Sequence, residues 1–478
     1  MRRLTGIIPA FIFLALSSSG FAQSYPIVDT DVSEHYSDIA KIAAPSEGEP
    51  YYGQDACYAG NLPSYTDNGD GTISDHVTGL MWEKDMGEKI TFDEARPRAE
   101  ASSLGEHNDW RVPTIKELYS LILFTGQVKG ATALSFFIDT AFFIQPLGDI
   151  SIGEREIDAQ TWSSTEYVGL TMGGDATVFG VNFIDGRIKG YPKYRKATGA
   201  ANTMYFRMVR GNTDYGNNNF VDNEDGTITD LASGLMWQTA DDGNARDWEE
   251  SLAYAEGLEL AGKGDWRLPN AKELQSIVDY SRSPQTSTSP AIDPLFGTTE
   301  IKDPDGNPGQ YPFFWTSTTH LDGANPYASA AYIAFGDGMG EMNGTLMDVH
   351  GAGCQRSDPK SGNMDDYPQF WGPQGDVRYV YNYVRCVRDA SYASSIEKKT
   401  GIEISIYPNP AKEQITLISD QKSGSITLYN MQGEKVMEQC ADQNQTTINI
   451  SSLSEGVYII NLLSENGERS SGRINKIH

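Results

Sequence analysis

The sequence predicts an α+β protein made of two tandem copies of one module, followed by a C-terminal all-β sandwich. Three observations lead to this prediction. One stretch of the chain is written twice, and each copy combines helix-capping patterns with short strands. The residues after 402 alternate apolar and polar positions in short runs, which is typical of half-buried strands. With 478 residues, the chain is also long enough for about three domains.

Four blocks of the middle region occur twice, about 155 residues apart except for the last. A period this long indicates tandem domains, because solenoid repeats run only ~20–50 residues. The copies define a first repeat at 65–211 and a second repeat at 220–389. A polar linker at 212–219 joins them. The blocks are YTDNGDGTISDHVTGLMW and FVDNEDGTITDLASGLMW, DWRVPTIKEL and DWRLPNAKEL, TWSST and FWTST, and YFRMVR and YVRCVR.

Each repeat predicts a hairpin and then two helices. The Asp-Gly pair of DNGDGT supplies the positive φ that a tight hairpin turn needs. Both helices should begin at a capping residue that is followed three positions later by Glu. The capping pairs are Thr91 with Glu94, Thr114 with Glu117, Asp247 with Glu250, and Asn270 with Glu273. The second helix of each repeat should pack an apolar stripe against the core.

GLMW, DWRLP with KEL, WSST and the closing RCVR resemble the Lcl C-terminal domain family, and both repeats carry these motifs. The resemblance implies a C-type-lectin-like fold, shared with domains of the formylglycine-generating type. It also implies a carbohydrate or matrix ligand. The two predicted modules are therefore C-type-lectin-like, and their function is expected to lie in variable loops.

The N-terminal residues have the order of a secretory signal peptide at 1–22, followed by an N-terminal extension at 23–64. Arg2 and Arg3 precede an apolar run at 7–16 and then small residues, and cleavage is expected after Ala22. The run is shorter than the ~20 residues that a membrane span needs. No later segment is apolar enough to cross a membrane.

The C-terminal region, 402–478, follows a predicted linker at 390–401 and closely resembles the type A sorting domain of the type IX secretion system. An ordinary structural β-sandwich is the alternative. The resemblance implies that type IX machinery is a partner and that the protein is secreted or held on the outer cell surface. The matching residues are Tyr407-Pro408-Asn409-Pro410, Leu428-Tyr429-Asn430 with Gly433, and Leu453 with Gly456-Val457-Tyr458.

The charge of the chain restricts its partners. The formal net charge is −28, and the isoelectric point is near 4.5. Binding of nucleic acid needs clustered Lys and Arg, so no nucleic-acid partner is expected. Divalent cations and neutral sugars remain compatible with this charge, which can also act only to keep the protein soluble.

A possible cofactor is calcium, in the loop that precedes Trp315. The candidate ligands are Asp303, Asp305 and Asn307, whose side-chain oxygens are of the type that calcium prefers. The resemblance supports this loop, because calcium-dependent C-type lectins hold their ion and sugar in a loop of this kind. A turn rich in Pro and Gly is the alternative interpretation.

The cysteines suggest one disulfide, between Cys354 and Cys386. The first repeat has Met208 at the position of Cys386 and no second thiol, so the two cysteines occur together or not at all. The partner of Cys57 is left open. Cys440 belongs to the predicted sorting domain.

These observations predict an exported, cell-surface binding protein of the adhesin type rather than an enzyme. The repeated Trp and Arg residues are expected to be structural, and the six histidines have neither zinc spacing nor a repeat. An enzyme of the formylglycine-generating type, another hydrolase, or a ligand-free structural envelope protein are the alternatives. A pocket with several carboxylates and an aromatic residue would favour the binding protein.

Overall fold

The computed structural model describes residues 24–128, 134–196, 198–390, 404–408, 411–419, 423–430, 435–440, 445–454, 456–464 and 469–477. The chain divides into two compact units, 1–390 and 391–478. The predicted signal peptide, and all of the predicted linker except residue 390, lie outside the described residues. No described helix is long and apolar enough to cross a membrane.

The first unit contains both repeats and the N-terminal extension. Its described strands are β1 (His35–Tyr36), β2 (Lys41–Ile42), β3 (Tyr65–Asp67), β4 (Thr72–Asp75), β5 (Leu80–Glu83), β6 (Ile90–Thr91), β7 (Thr161–Glu166), β8 (Thr177–Asn182), β9 (Arg187–Pro192), β10 (Thr203–Phe206), β11 (Val209–Gly211), β12 (Phe220–Asp222), β13 (Thr227–Asp230), β14 (Leu235–Gln238), β15 (Phe313–Thr319), β16 (Ser329–Ala334), β17 (Met339–Met342), β18 (Thr345–Asp348), β19 (Gln355–Pro359), β20 (Phe370–Trp371), β21 (Asp376–Val377) and β22 (Val387–Asp389). The helices are α1 (Phe92–Glu100), α2 (Ile115–Tyr119), α3 (Trp248–Glu256), α4 (Ala271–Ser276) and α5 (Pro284–Ser287), with 3-10 turns at Asp55–Cys57, Leu104–Glu106, Ile150–Ile152 and Met364–Asp366.

The predicted α+β class with C-type-lectin-like modules is wrong, because strands make up 35% of the chain and helices only 11%, which fits an all-β protein. The predicted helices do form at their capping residues, but they are short. The helices α2 and α4 have five and six residues. Helices this short depend on tertiary packing for their stability, since they gain little from their own hydrogen bonds.

The two repeats share a four-stranded sheet and two helices in the same order. In the first repeat β3, β4, β5 and β11 form a four-stranded sheet, and β12, β13, β14 and β22 form its counterpart in the second. Trp82 pairs with Val209 and Trp237 with Val387 across these sheets. Both indole rings are fully buried, so the GLMW motif has the same environment twice.

A single eight-stranded sheet crosses the boundary between the repeats, in the order β15-β16-β19-β9-β8-β7-β10-β6. The strands β9 and β19 join antiparallel where Ile188 faces Gln355. The side chain of Lys272 in the second repeat donates to the carbonyl oxygen of Ser120 in the first at 2.9 Å. The repeats therefore fold against each other as one body rather than as separate domains.

The second repeat carries an additional small sheet that has no counterpart among the described residues of the first. Its strands are β18, β17, β21 and β20, in that order. They come from the segments before and after β19. This insertion forms one wall of the candidate site.

The second unit is all-β, as the sequence predicts. One sheet contains β23 (Ile404–Tyr407), β24 (Gln414–Ser419) and β27 (Gln445–Asn449). The other contains β25 (Ser423–Asn430), β26 (Lys435–Cys440), β28 (Gly456–Ser464) and β29 (Arg469–Lys476). Apolar residues from both sheets, among them Ile415, Leu428 and Ile460, form one buried core.

Candidate functional site

A cleft of about 270 Å³ lies where the additional sheet of the second repeat meets the strand junction β9–β19. We call it the Trp371 cleft. The side chains that give it its chemistry are charged or aromatic and belong to both repeats. They are Arg187, Asp322, Arg356, Asp358, Tyr367, Trp371, Asp376 and Arg378.

One wall of the cleft is aromatic. The hairpin of β20 and β21 pairs Trp371 with Asp376, and Gly372 and Gly375 in its turn have positive φ. Trp371 is 58% exposed, which is unusual for so large an apolar ring. The guanidinium carbon of Arg378 lies 4.6 Å from the Trp371 ring centre and 5.4 Å from that of Tyr367. The arginine thus holds both rings in place by cation–π contact.

Arg356 lies at the base of the cleft and forms an ion pair with Asp376. His350 contacts the same carboxylate at 2.8 Å. Burial opposes ionisation of Asp376, but Arg356 and His350 outweigh it and keep its pKa far below the usual value. The Nε and Nη1 atoms of Arg356 are buried and have no partner among the described residues.

Asp358 is a neighbouring carboxyl group whose pKa is raised rather than lowered. Its Oδ2 atom accepts hydrogen bonds from the Tyr379 backbone at 3.2 Å and the Asn382 amide at 3.1 Å. Burial raises its pKa to about 8, and these hydrogen bonds only partly oppose the shift. At neutral pH the group is mostly protonated, so it can donate to a ligand as well as accept.

The first repeat contributes Arg187 to the cleft. Its Nη2 atom pairs with Asp322 of the second repeat, and Nη1 donates to the Asp185 carbonyl oxygen at 3.1 Å. Burial opposes ionisation of Asp322, yet Arg187 lowers its pKa to about 2. The two ionised carboxylates of the cleft are therefore neutralised by arginines. Arg378 has no carboxylate partner among the described residues and supplies the unpaired charge.

The predicted calcium loop lies elsewhere and forms a closed turn. Both carboxylate oxygens of Asp303 accept from Asn307, one from its backbone at 2.7 Å and one from its amide at 2.9 Å. Asp305 is exposed, and Gly306 has a φ of 86°. Within the described ranges, no group of three or more His, Cys, Asp or Glu is arranged to hold a metal ion.

The predicted disulfide is not formed. Cys354 and Cys386 are both free and fully buried. They belong to one apolar cluster around Trp248 and Trp315, where a thiol packs as a small hydrophobic side chain. The joint presence of the two cysteines therefore reflects packing of the second core. Cys57 is also free, and its sulfur lies 3.6 Å from the His35 ring.

The repeated Trp and Arg residues are structural, as expected. All six repeated tryptophans are buried. Arg207 and Arg385 each donate to three backbone carbonyl oxygens from two segments of the chain. Arg111 and Arg267 instead hold the side chains of Glu117 and Glu273 by two hydrogen bonds each.

None of the residues that give the Trp371 cleft its chemistry is predicted as a site from the sequence. Its members are spread from 187 to 378, and they meet only because the two repeats share a sheet. One signal was available, since the second repeat has a longer segment before its last block than the first. Within it, the run QFWGPQGD places an aromatic residue in a Gly- and Pro-rich hairpin.

Comparisons with known proteins agree with this organisation. The model of the Lcl C-terminal domain matches residues 71–210 and 226–350. The model of the secretion system C-terminal sorting domain matches residues 405–475. No curated protein matches the chain.

Solved structures show only weak likeness. CopC from Methylosinus trichosporium OB3b is 16% identical, with 16% of this chain and 91% of that chain covered and a TM-score of 0.13. PorZ, a surface component of the type-IX secretion system of Porphyromonas gingivalis, is 10% identical, with 84% and 58% covered and a TM-score of 0.14. Scores this low carry no argument about fold.

The duplicated scaffold and the sorting tail together define a secreted or outer-surface β protein. The chain belongs to the Lcl C-terminal domain family, because that family's model covers more than half of it. Its sorting domain implies interaction with the type IX secretion machinery.

Proposed function

We propose that the protein is a cell-surface carbohydrate-binding protein that holds its ligand in the Trp371 cleft. The observation that carries this proposal is the exposed ring of Trp371 beside charged groups in a concave site. A sugar ring has an apolar face that packs on an aromatic ring, and hydroxyl groups that need donors and acceptors. Specific pockets combine an apolar surface with a few convergent polar groups of this kind.

The polar groups of the cleft suit hydroxyl recognition. Arg378 has no carboxylate partner among the described residues and offers donors, and the protonated Asp358 offers both a donor and an acceptor. A hydrogen bond from a charged donor to a hydroxyl oxygen contributes more free energy than one between neutral groups. Adhesion to a glycan or to a glycan-bearing matrix is the role that fits a surface protein with this cleft.

A second candidate is glycoside hydrolysis. It is favoured by one observation, namely that the protonated Asp358 and the ionised Asp376 line the same cleft. Carboxyl groups with pKa values driven apart serve as acid and base in glycosidases. Binding is the better proposal because Asp376 is already engaged by Arg356 and His350, which leaves it a weak base.

A glycan array tests the proposal, with the full-length secreted protein, the Trp371→Ala variant and the matched Trp371→Phe variant. We expect wild type to bind a defined set of glycans, the Ala variant to lose at least tenfold in affinity, and the Phe variant to retain most of it. Runs with and without calcium test the cofactor expectation. Equal binding by wild type and Trp371→Ala would refute the site.

The same glycans then serve as substrates in a reducing-end assay, which separates the two candidates. Release of sugar by wild type, lost in Asp358→Asn while binding persists, would favour hydrolysis. Binding without release favours the adhesin.

A further inference from the structure

The two repeats contain equivalent clefts beside α2 and α4, and only one of them is filled. The sequence blocks make Thr165 equivalent to Thr318, Lys116 to Lys272, and Phe124 to Tyr280. Because the repeats pack face to face, each cleft combines the threonine and lysine of one repeat with the aromatic residue of the other. What fills one cleft therefore indicates what would fit the second.

The filled cleft contains the N-terminal extension of the chain itself. Thr318 donates its hydroxyl hydrogen to the Asp55 carboxyl group at 2.6 Å. Lys272 donates to the Asp29 carbonyl oxygen at 2.9 Å, and the Phe124 backbone N–H donates to the Thr30 carbonyl oxygen at 2.9 Å. Two segments of the extension thus supply the acceptors of these three donors, namely the backbone at Asp29 and Thr30 and the carboxyl group of Asp55.

The open cleft is a cavity of about 380 Å³, which we call the Lys116 pocket and which is lined by Thr165, Lys116 and Tyr280. Its volume lies within the roughly 300–1,000 Å³ of typical ligand sites. The oxygen of Thr165 accepts from the Ile115 backbone at 3.0 Å, as Thr318 does from Ala271. Its hydroxyl hydrogen has no acceptor among the residues described.

Two further donors of the Lys116 pocket make fewer hydrogen bonds than they can. Lys116 has one acceptor within the described chain, the side-chain oxygen of Asn218 at 2.8 Å, although an ammonium group can donate three bonds. The backbone N–H of Tyr280 donates to nothing that the structure describes, whereas its equivalent at Phe124 is bonded. Burial lowers the pKa of Lys116 to about 8, and a carboxylate beside it would favour the charged form.

We infer that the Lys116 pocket binds an extended peptide segment of a partner protein that carries one carboxylate. A backbone carbonyl oxygen would accept from Tyr280, as Thr30 accepts from Phe124. The carboxylate would accept from Thr165, as Asp55 accepts from Thr318, and from Lys116, which has one acceptor within the described chain. Asp279 and Asp293 also line the pocket, and each accepts from the backbone of its own turn, so the charge of Lys116 has to offset their repulsion of the ligand carboxylate.

A peptide made from the extension provides the probe, because residues 26–33 contain the backbone that enters the filled cleft. Acetyl-PIVDTNVS-amide keeps the first aspartate and replaces the second by asparagine. Its matched control, PIVNTNVS, has no carboxylate. Calorimetric titration of the full-length protein should show saturable binding of the first peptide and at least tenfold weaker binding of the second.

Variants locate the binding. We expect Lys116→Met and Thr165→Val each to weaken the first peptide at least fivefold, while Trp371→Ala leaves it unchanged. Circular dichroism checks that each variant is folded. If Lys116→Met does not fold, Thr165→Val still tests the pocket, because valine has nearly the same shape as threonine. No binding of the first peptide, equal binding of both peptides, or wild-type affinity in both pocket variants would overturn the inference. Succinate binding in place of the peptide would assign the pocket to small acids and would also overturn it.

Discussion

The first and second repeats share one scaffold but differ in what covers it. Both place a buried tryptophan at the GLMW motif, and both fix their second helix with an Arg–Glu pair. The second repeat adds a small sheet that builds the Trp371 cleft, and the N-terminal extension fills its other cleft. The first repeat adds neither. The comparison teaches that the repeated residues maintain the scaffold, whereas recognition depends on residues that occur once.

The largest test of the shared scaffold replaces Trp82 or Trp237 by alanine. Each ring is fully buried, so each change should destabilise the first unit by ~3–5 kcal/mol through lost packing and a cavity. Urea unfolding followed by tryptophan fluorescence measures this, and the joined sheet predicts one cooperative transition for both repeats. Two separate transitions, or a large loss at only one of the positions, would show that the repeats are not equivalent.

The filled cleft is tested by Asp55→Ala, which leaves the hydroxyl groups of Thr318 and Thr30 without their acceptor. We expect a loss of about 1–3 kcal/mol in the free energy of unfolding. Thr165→Val in the open cleft removes a hydroxyl hydrogen that has no described acceptor, so it should have less than half this effect. An equal loss at both would contradict the assignment of one cleft as filled and the other as open.

The Asp55 carboxyl group also makes the free energy of unfolding depend on pH. Burial raises the pKa of Asp55 to about 7, compared with ~3.9 in an unfolded chain. Between these values the native state binds more protons, so its contribution to stability is complete below about pH 4 and is lost as the pH rises through 7. Asp55→Asn should flatten this part of the stability profile measured by urea unfolding at pH 4 to 8. A profile as steep as that of wild type would show that the decline arises elsewhere.

Smaller effects are expected at the exposed ion pairs that repeat between the copies. Arg210 pairs with Asp109 and Arg388 with Asp265, and both aspartates are more than half exposed. Asp109→Asn and Asp265→Asn should each cost less than ~1 kcal/mol, because solvent and salt screen such pairs. Thermal unfolding in low and high salt measures the difference. A loss above 2 kcal/mol at either site would mean that the pair has a role beyond the surface.

The smallest expected effect is that of a reductant. Cys354 and Cys386 are free, and burial raises the pKa of both thiols well above the usual value. Dithiothreitol should therefore leave the melting temperature unchanged, and iodoacetamide should label both residues only after denaturation. Mass spectrometry under non-reducing conditions checks this. A crosslinked peptide containing both cysteines would restore the disulfide predicted from their joint occurrence.

Much of the fold follows from the sequence alone. The duplication, the hairpin turns, the starts of the helices at Thr114 and Asn270, and the sorting tail are all local patterns, and the structure contains them. The overall class was wrong because capping residues determine where a helix begins but not how far it runs. After Tyr119 and Ser276 the chain turns into the core, and strands provide most of the regular structure.

What the sequence determined by itself is the set of local and repeated features: the copies, their turns and caps, and the route of export. Only the tertiary structure decided that β9 and β19 join the copies in one sheet, and that Arg187 meets Arg356 and Trp371 there. The physical reason is that a site assembled across such a sheet depends on contacts between residues far apart in the chain. No local propensity or spacing encodes those contacts. The Trp371 cleft therefore appears only when the whole unit is packed, and so does the cleft that the N-terminal extension fills.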